Sequence, residues 1–142
     1  MIIPFAKYLK IGKAKRKTSD PEEAKALLSQ AHDRLDYVKN KEISVRTAKF
    51  VFEDAYEAVR EAAQSLMSMK GFKPYSHEAT ISFIKEFHGN DFTEEDISLF
   101  DYFRQLRNDS VYKAVKVLPE DAKDCMVFAK EFVNKVKFKQ KD

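Results

Sequence analysis

The sequence predicts an all-α fold, an antiparallel up-and-down bundle of about five helices. Apolar residues recur at helical spacing through most of the chain, and no segment alternates apolar and polar residues as a half-buried strand does. Only three glycines and four prolines are available for tight turns, which disfavours a sheet with many hairpins. The connections between the helical segments are short and polar, so consecutive helices are expected to be antiparallel neighbours.

The first helix is predicted to begin at Asp20. Its carboxylate can cap the free amides of a first turn, and Pro21 follows at a position where its missing N–H costs nothing. Two glutamates then lie where the helix dipole favours negative charge. Apolar residues recur every three or four positions from there to Val38, so one face of this helix is expected to be buried.

The second helix is predicted over residues 44–70, with an apolar stripe that begins at Val45. Gly71 is expected to end it, because glycine accepts the left-handed conformation that follows a last helical turn. About 26 residues with a rise of 1.5 Å each give a length of about 39 Å. A helix of this length needs packing partners along all of it.

Glu53, Glu57 and Glu61 form a row that flanks this stripe. We interpret the row as a solvated or helix-pairing edge, because a di-iron bundle also needs a glutamate and a histidine three apart on each of two helices, and the sequence has none. Three scattered histidines and one cysteine make a poor zinc site. With no glycine-rich phosphate loop and no nucleophile elbow either, we predict neither a metal nor a cofactor.

Three further helices are predicted in the second half of the chain. The third follows Pro74, which forces an extended approach, and Ser76 can cap it. The fourth begins at Thr93, ahead of three acidic residues, and the fifth begins at Pro119. Cys125 lies on the apolar face of the fifth helix, so we interpret it as a core residue.

The net charge of +3 conceals basic ends and an acidic body. Residues 1–17 carry six basic side chains and no acid, and residues 135–142 carry four lysines and one aspartate. We divide the chain into a basic N-terminal arm (1–18), a helical bundle (19–138) and a basic C-terminal tail (139–142). We interpret both ends as solvated rather than as contacts to phosphate, because they lack the row of interleaved aromatic residues of a stacking platform.

Two further features predict a cytoplasmic protein without membrane contact. The single cysteine cannot form an internal disulfide, which fits a reducing compartment. No stretch approaches the roughly 18 consecutive apolar residues that would span a bilayer, and residues 1–10 lack the apolar core of a secretion signal.

The stretch DYFRQLRNDSVYKA, which begins at Asp101, is a candidate binding site. Arg104 and Arg107 are three residues apart and therefore lie on one helix surface, where their charges repel unless an anion or carboxylate lies between them. Two other interpretations stay open. The arginines could pair with Asp101, Asp109 or an acid of a neighbouring helix, and Tyr112 could be a half-buried plug with its hydroxyl at the surface.

Two segments together resemble the HEPN family of small helical-bundle proteins. In YEAVREAAQSLMSMKGFKPYSHEA, residues 56–79, an aromatic and alanine run ends in a Gly-x-x-Pro turn and a histidine. In LRNDSVY, residues 106–112, four residues separate an arginine from a tyrosine. The family motif is an arginine, four variable residues and then a histidine or tyrosine, and this segment is especially similar to the sub-group in which a tyrosine closes the motif. The resemblance covers roughly residues 20–137.

The resemblance implies a homodimer that binds a nucleotide or RNA in a groove between two protomers. Arg107 matches the arginine of the family motif, Asn108 the polar residue after it, and Tyr112 stands where active members have a histidine. Histidine, with a pKa near 6.5, can be a base or an acid at neutral pH, whereas tyrosine near 10 is a poor base. We therefore expect weak or no nuclease activity, with Arg107 and Tyr112 as the candidate catalytic residues and Arg104, Arg107, Asn108 and Tyr112 as the candidate binding residues.

The resemblance also implies a nucleotidyltransferase-type partner protein, often in a toxin–antitoxin arrangement. Two alternatives stay open. One is an active metal-independent ribonuclease in which Arg107 acts with Tyr112 or His77, and the other is a non-catalytic bundle that docks another protein. Unless the ribonuclease alternative holds, we interpret His77 as a residue that starts a helix, next to the capping Ser76.

Overall fold

The structure is a computed structural model, and it describes residues 2–141. Within this range there are six helices and two strands, which confirms the predicted all-α bundle: α1 Phe5–Lys10, β1 Ala14–Arg16, α2 Pro21–Val38, α3 Ala48–Lys70, β2 Phe72–Pro74, α4 His77–Phe87, α5 Glu94–Tyr112 and α6 Pro119–Lys141. None of the helices in the described range is long and apolar enough to cross a membrane. Met1 of the predicted arm and Asp142 of the predicted tail lie outside the described residues.

Side chains cap α2, α4 and α5 at the positions that the sequence predicts. Asp20 and Ser76 each accept a hydrogen bond from a backbone amide in the first turn, at 3.0 Å and 3.1 Å. Thr93 and Asp96 form a reciprocal capping box at the start of α5. Gly71 ends α3 with a φ of +94°, in the left-handed region. These local signals fix where α4 and α5 begin.

The start of α3 differs from the prediction. The helix begins at Ala48, because Ser44 and Thr47 form a turn immediately before it. In this turn the backbone amide of each residue donates to the hydroxyl oxygen of the other, at 2.8 Å and 3.3 Å. This turn uses the residues that were predicted as the first helical turn. Val45, predicted as part of the apolar stripe, therefore precedes the helix and is 82% exposed.

Helix α3 is the centre of the bundle, and it packs against α2 and α6 and also contacts α4 and α5. Glu61, from the predicted carboxylate row, is only 2% exposed and forms a two-point ion pair with Arg34 of α2. This residue of the row is therefore a helix-pairing one. Cys125 of α6 is buried, as predicted.

The sequence predicts no sheet, but β1 and β2 pair as an antiparallel ribbon in which Lys15 lies opposite Lys73. Strands of three residues are too short to carry a recognisable alternation. The close approach of the two segments depends on Gly71, where an added Cβ would lie 2.7 Å from the carbonyl oxygen of Lys17. The ribbon joins the N-terminal segment to the loop between α3 and α4.

Two aromatic residues of the N-terminal segment are buried in the core. Phe5 of α1 is 1% exposed, and the centroid of its ring lies 5.2 Å from that of Phe72 and 5.6 Å from that of Phe83. Tyr8 is 4% exposed. The domain boundary at residue 18 stays a prediction, although the basic segment before it contributes side chains to the core.

Candidate functional site

A pocket of about 180 Å³ lies between the start of α4 and the last turns of α5. The helical spacing of α5 places Arg104, Arg107 and Asn108 on adjoining turns of one surface. The structure therefore brings together the four residues predicted as binding residues, and it adds the first two residues of α4. The complete lining is His77, Glu78, Arg104, Arg107, Asn108 and Tyr112.

Arg104 is held in place by acidic neighbours. Its Nε donates to Asp101 Oδ1 at 2.7 Å, and its Nη1 lies 3.7 Å from Glu78 Oε1. The side chain of Arg104 is 16% exposed. Arg104 thus pairs with Asp101, which is one of the two alternatives that the sequence left open. The pairing partly neutralises the positive charge of Arg104 in the pocket.

Arg107 forms no ion pair and no side-chain hydrogen bond within residues 2–141. Asp109, the acid nearest to it in sequence, lies 3.6 Å from Lys113 instead. A guanidinium presents two parallel N–H groups to a phosphate or carboxylate and stays charged at any physiological pH. Arg107 is therefore the side chain in the pocket best suited to bind an anion.

Tyr112 is 72% exposed, so the interpretation of this residue as a half-buried plug is wrong. It closes α5 at the rim of the pocket, next to Asn108 one turn earlier. A solvated phenol offers a hydroxyl for hydrogen bonding and a ring face on which a base can stack.

A partly buried hydrogen bond next to the pocket was not predicted from the sequence. The hydroxyl of Tyr56, a residue of α3 that is 1% exposed, lies 2.8 Å from Nδ1 of His77. Burial raises the pKa of Tyr56 well above its usual value, against the opposing charges of Arg107 and Arg104, so the phenol stays protonated. The one sequence signal was that Tyr56 opens, and His77 nearly closes, the segment that carried the family resemblance.

The imidazole of His77 is neutral at neutral pH. Burial lowers the pKa of His77 to about 4, and the charges of Arg60 and Arg107 act in the same direction against that of Glu57. Only about one ring in a thousand is protonated three pH units above such a pKa. Since Nδ1 bonds to Tyr56, Nε2 is the nitrogen that remains for a ligand in the pocket.

We expect His77 to make the protein less stable in acid. The folded pKa of about 4 lies below the usual value of 6.5, so between these pH values the unfolded chain binds the proton and the folded chain does not. The contribution of the neutral ring to the free energy of unfolding is complete above pH 6.5, and it is lost as the pH falls to 4. Because the ring is partly exposed, we expect a loss of about 1–2 kcal/mol rather than the full equivalent of the shift.

Urea unfolding of the wild type and His77→Gln at pH 7 and pH 4 measures this effect. On acidification the free energy of unfolding of the wild type should fall by about 1–2 kcal/mol more than that of the variant. His32→Gln, at an exposed position of α2, is the matched control and should follow the wild type. Equal losses in the wild type and His77→Gln would contradict the assignment.

Among the described residues, no group of three or more His, Cys, Asp and Glu side chains is arranged to hold a metal ion. No curated protein matches the sequence. The family model of the HEPN domain matches residues 24–139, which is most of the chain and includes every residue that lines the pocket. The protein belongs to the HEPN domain family.

Proposed function

We propose that the protein binds a nucleotide or RNA through this pocket, as a homodimer with weak or no nuclease activity. The observation that carries the proposal is the guanidinium of Arg107, which has no ion pair within the described residues and lies beside a second arginine. A phosphate group would satisfy its two parallel donors. Tyr112, exposed at the rim, supplies a ring for the base of the same ligand.

Weak catalysis follows from the proton-transfer groups in the pocket. Cleaving RNA without a metal requires a base for the 2′-hydroxyl and an acid for the leaving oxygen, and such proton transfer is worth roughly 10² to 10⁴ in rate. His77, with its pKa lowered to about 4, is a weak base and is almost never in the acid form at neutral pH. A phenol at position 112 is a poor base in the same range. Binding with slow turnover is therefore the expected behaviour.

An exposed apolar groove beside the pocket supports the homodimer. Phe50, Val111 and Leu118 line it with exposures of 63%, 45% and 56%. An apolar patch of this kind marks an interaction surface. The groove is also lined by Arg46 and Lys49, and a two-fold contact would bring these basic side chains of both copies into one interface, so dimerisation should strengthen as salt screens them.

The proposed nucleotidyltransferase-type partner, in a toxin–antitoxin arrangement, rests on the family resemblance. Co-expression with such a protein, followed by size-exclusion chromatography, tests it through the mass of the complex. A partner that protects Tyr112 from chemical labelling would place its contact at the pocket.

Replacing Arg107 with alanine should weaken the binding of AMP and of single-stranded RNA by about 10- to 100-fold, because a charged pair of hydrogen bonds to phosphate is lost. Isothermal titration calorimetry measures both affinities. Lys123→Ala, which removes an equal charge from the exposed face of α6, should bind like the wild type. Affinities unchanged in both Arg107→Ala and Tyr112→Phe would instead favour a non-catalytic bundle that docks another protein.

The second candidate function is an active metal-independent ribonuclease, and the neutral imidazole of His77 in the pocket favours it. In the tautomer in which Nδ1 carries the proton and donates it to the oxygen of Tyr56, Nε2 of this ring is unprotonated and could accept the proton of a 2′-hydroxyl while Arg107 binds the phosphate. Incubation with single-stranded RNA in the presence of a chelator tests this function. Cleavage that disappears in both Arg107→Ala and His77→Gln would support it, and RNA that stays intact would exclude it.

A further inference from the structure

The outward face of the β1–β2 ribbon is basic and carries an exposed tyrosine. Lys15 lies opposite Lys73, and the backbone amide of Tyr75 donates to the carbonyl oxygen of Lys13 at 2.8 Å, which continues the same register. Because side chains alternate along a strand, these four residues share one face, opposite the face that buries Phe72. All four are exposed, and we call this set the basic ribbon face.

The charges of this face are not balanced by acids. The three lysines form no ion pair in the described part of the chain, and residues 2–17 and 70–76 contain no acidic residue. By contrast Lys17, just beyond the ribbon, pairs with Glu23 at 3.2 Å. Like charges directly opposite each other destabilise an antiparallel pair. A ribbon that keeps such a pair is suited to contact a polyanion.

Tyr75 provides the aromatic ring that the basic N-terminal segment was expected to lack. Its ring is 51% exposed, and Nζ of Lys73 lies 5.6 Å from the ring centroid. The ring and the lysines of β1 come from segments far apart in sequence, so their proximity arises only when the strands pair. Stacking surface and positive charge together are what single-stranded nucleic acid binds.

The basic ribbon face also lies close to the pocket. Tyr75 precedes His77 by two residues, and two residues of extended chain span at most about 7 Å. A single strand with one phosphate at Arg107 can therefore continue over Tyr75 and onto the lysines of the ribbon.

We propose that the basic ribbon face binds the phosphate backbone of single-stranded RNA, so that the ligand of the pocket is a polynucleotide rather than a free nucleotide. This inference rests on the proposed function, since it extends the ligand of the pocket along the surface. Lys13, Lys15 and Lys73 contact successive phosphates, and Tyr75 stacks on a base. A free nucleotide fills the pocket alone and does not reach these lysines.

The test compares Lys15→Gln/Lys73→Gln with Lys123→Gln/Lys130→Gln, an equal loss of charge from exposed positions of α6. Fluorescence anisotropy with a labelled single-stranded RNA of about 15 nucleotides measures affinity over a range of salt concentrations. The ribbon variant should bind this RNA about tenfold more weakly. Its plot of log affinity against log salt should be shallower by about 1.4, because each phosphate contact contributes about 0.7. AMP affinity should stay at the wild-type value.

Two further measurements separate binding from folding. The ribbon variant should melt at or above the wild-type temperature, because the opposed charges have been removed. Tyr75→Ala should also weaken RNA binding about tenfold, without a change in the salt slope. Both results would support the assignment of phosphate contacts to the lysines and stacking to the tyrosine.

RNA affinity that is unchanged in the ribbon variant, or lowered equally in the α6 control, would overturn the inference. So would ribbon-dependent binding to anionic lipid vesicles without binding to RNA. The proposed function is tested separately, by the effect of Arg107→Ala on AMP binding. If Arg107→Ala loses AMP while the ribbon variant keeps full RNA affinity, the pocket stands and only the ribbon proposal fails.

Discussion

Replacing Arg34 with alanine is expected to lower the free energy of unfolding by about 3–5 kcal/mol. Arg34 donates from Nε to Oε1 of Glu61 at 2.9 Å and from Nη2 to Oε2 at 3.3 Å. The carboxylate of Glu61 lies at the α2–α3 interface with 2% of the residue exposed. Without the guanidinium it would be a buried charge with no partner, and removing one member of a buried pair costs far more than the pair contributes.

Lys39→Ala is the matched control, because Lys39 pairs with Asp36 while both side chains are about half exposed, and such pairs contribute about 0–1 kcal/mol. Arg34→Met/Glu61→Leu should recover most of the lost stability, since it leaves no buried charge. Asp54, which also accepts a hydrogen bond from Arg34, is 31% exposed and can be hydrated. Urea unfolding at pH 7 measures all of these variants. A cost for Arg34→Ala no greater than that of Lys39→Ala would contradict the prediction.

Five of the six helices in the described residues could be predicted, because their signals are local in sequence; α1, within the predicted arm, was not. Asp20 and Thr93 act on amides three residues away, and Gly71 ends α3 by its own backbone conformation. The error at the start of α3 has a local cause too. Ser44 satisfies the rule for a helix cap, but it forms a turn with Thr47, and apolar periodicity alone does not distinguish the two outcomes.

Four of the six residues that line the pocket were predicted as binding residues, and the reason lies in chain distance. Arg104 and Arg107 are one turn apart on α5, so their proximity follows from helical geometry alone. The contact between Tyr56 and His77 depends on how α4 packs on α3, which no local pattern specifies. The basic ribbon face was even less predictable from the sequence. Its lysines in the N-terminal segment lie beside the aromatic ring of Tyr75 only because β1 pairs with β2.

Replacing Phe5 with alanine is expected to lower the free energy of unfolding by about 3–5 kcal/mol, although it lies in a segment whose composition suggests a solvated arm. Its ring is 1% exposed and lies 5.2 Å from Phe72, 5.6 Å from Phe83 and 5.9 Å from Phe87, measured between centroids. Three rings held by β2 and α4 cannot close a cavity of this size, so the lost contacts would not be regained.

Ile11→Ala is the matched control within the same segment, because Ile11 is 61% exposed and an exposed substitution usually changes stability by no more than about 0.5 kcal/mol. Thermal and urea unfolding of both variants would decide whether the bundle begins at residue 19 or includes α1. A cost below about 1 kcal/mol for Phe5→Ala would mean that the first eighteen residues are an independent arm. A large cost would make α1 part of the domain, and β1 would then present its lysines from a fixed position beside the pocket, since Phe5 packs directly on Phe72 of the partner strand.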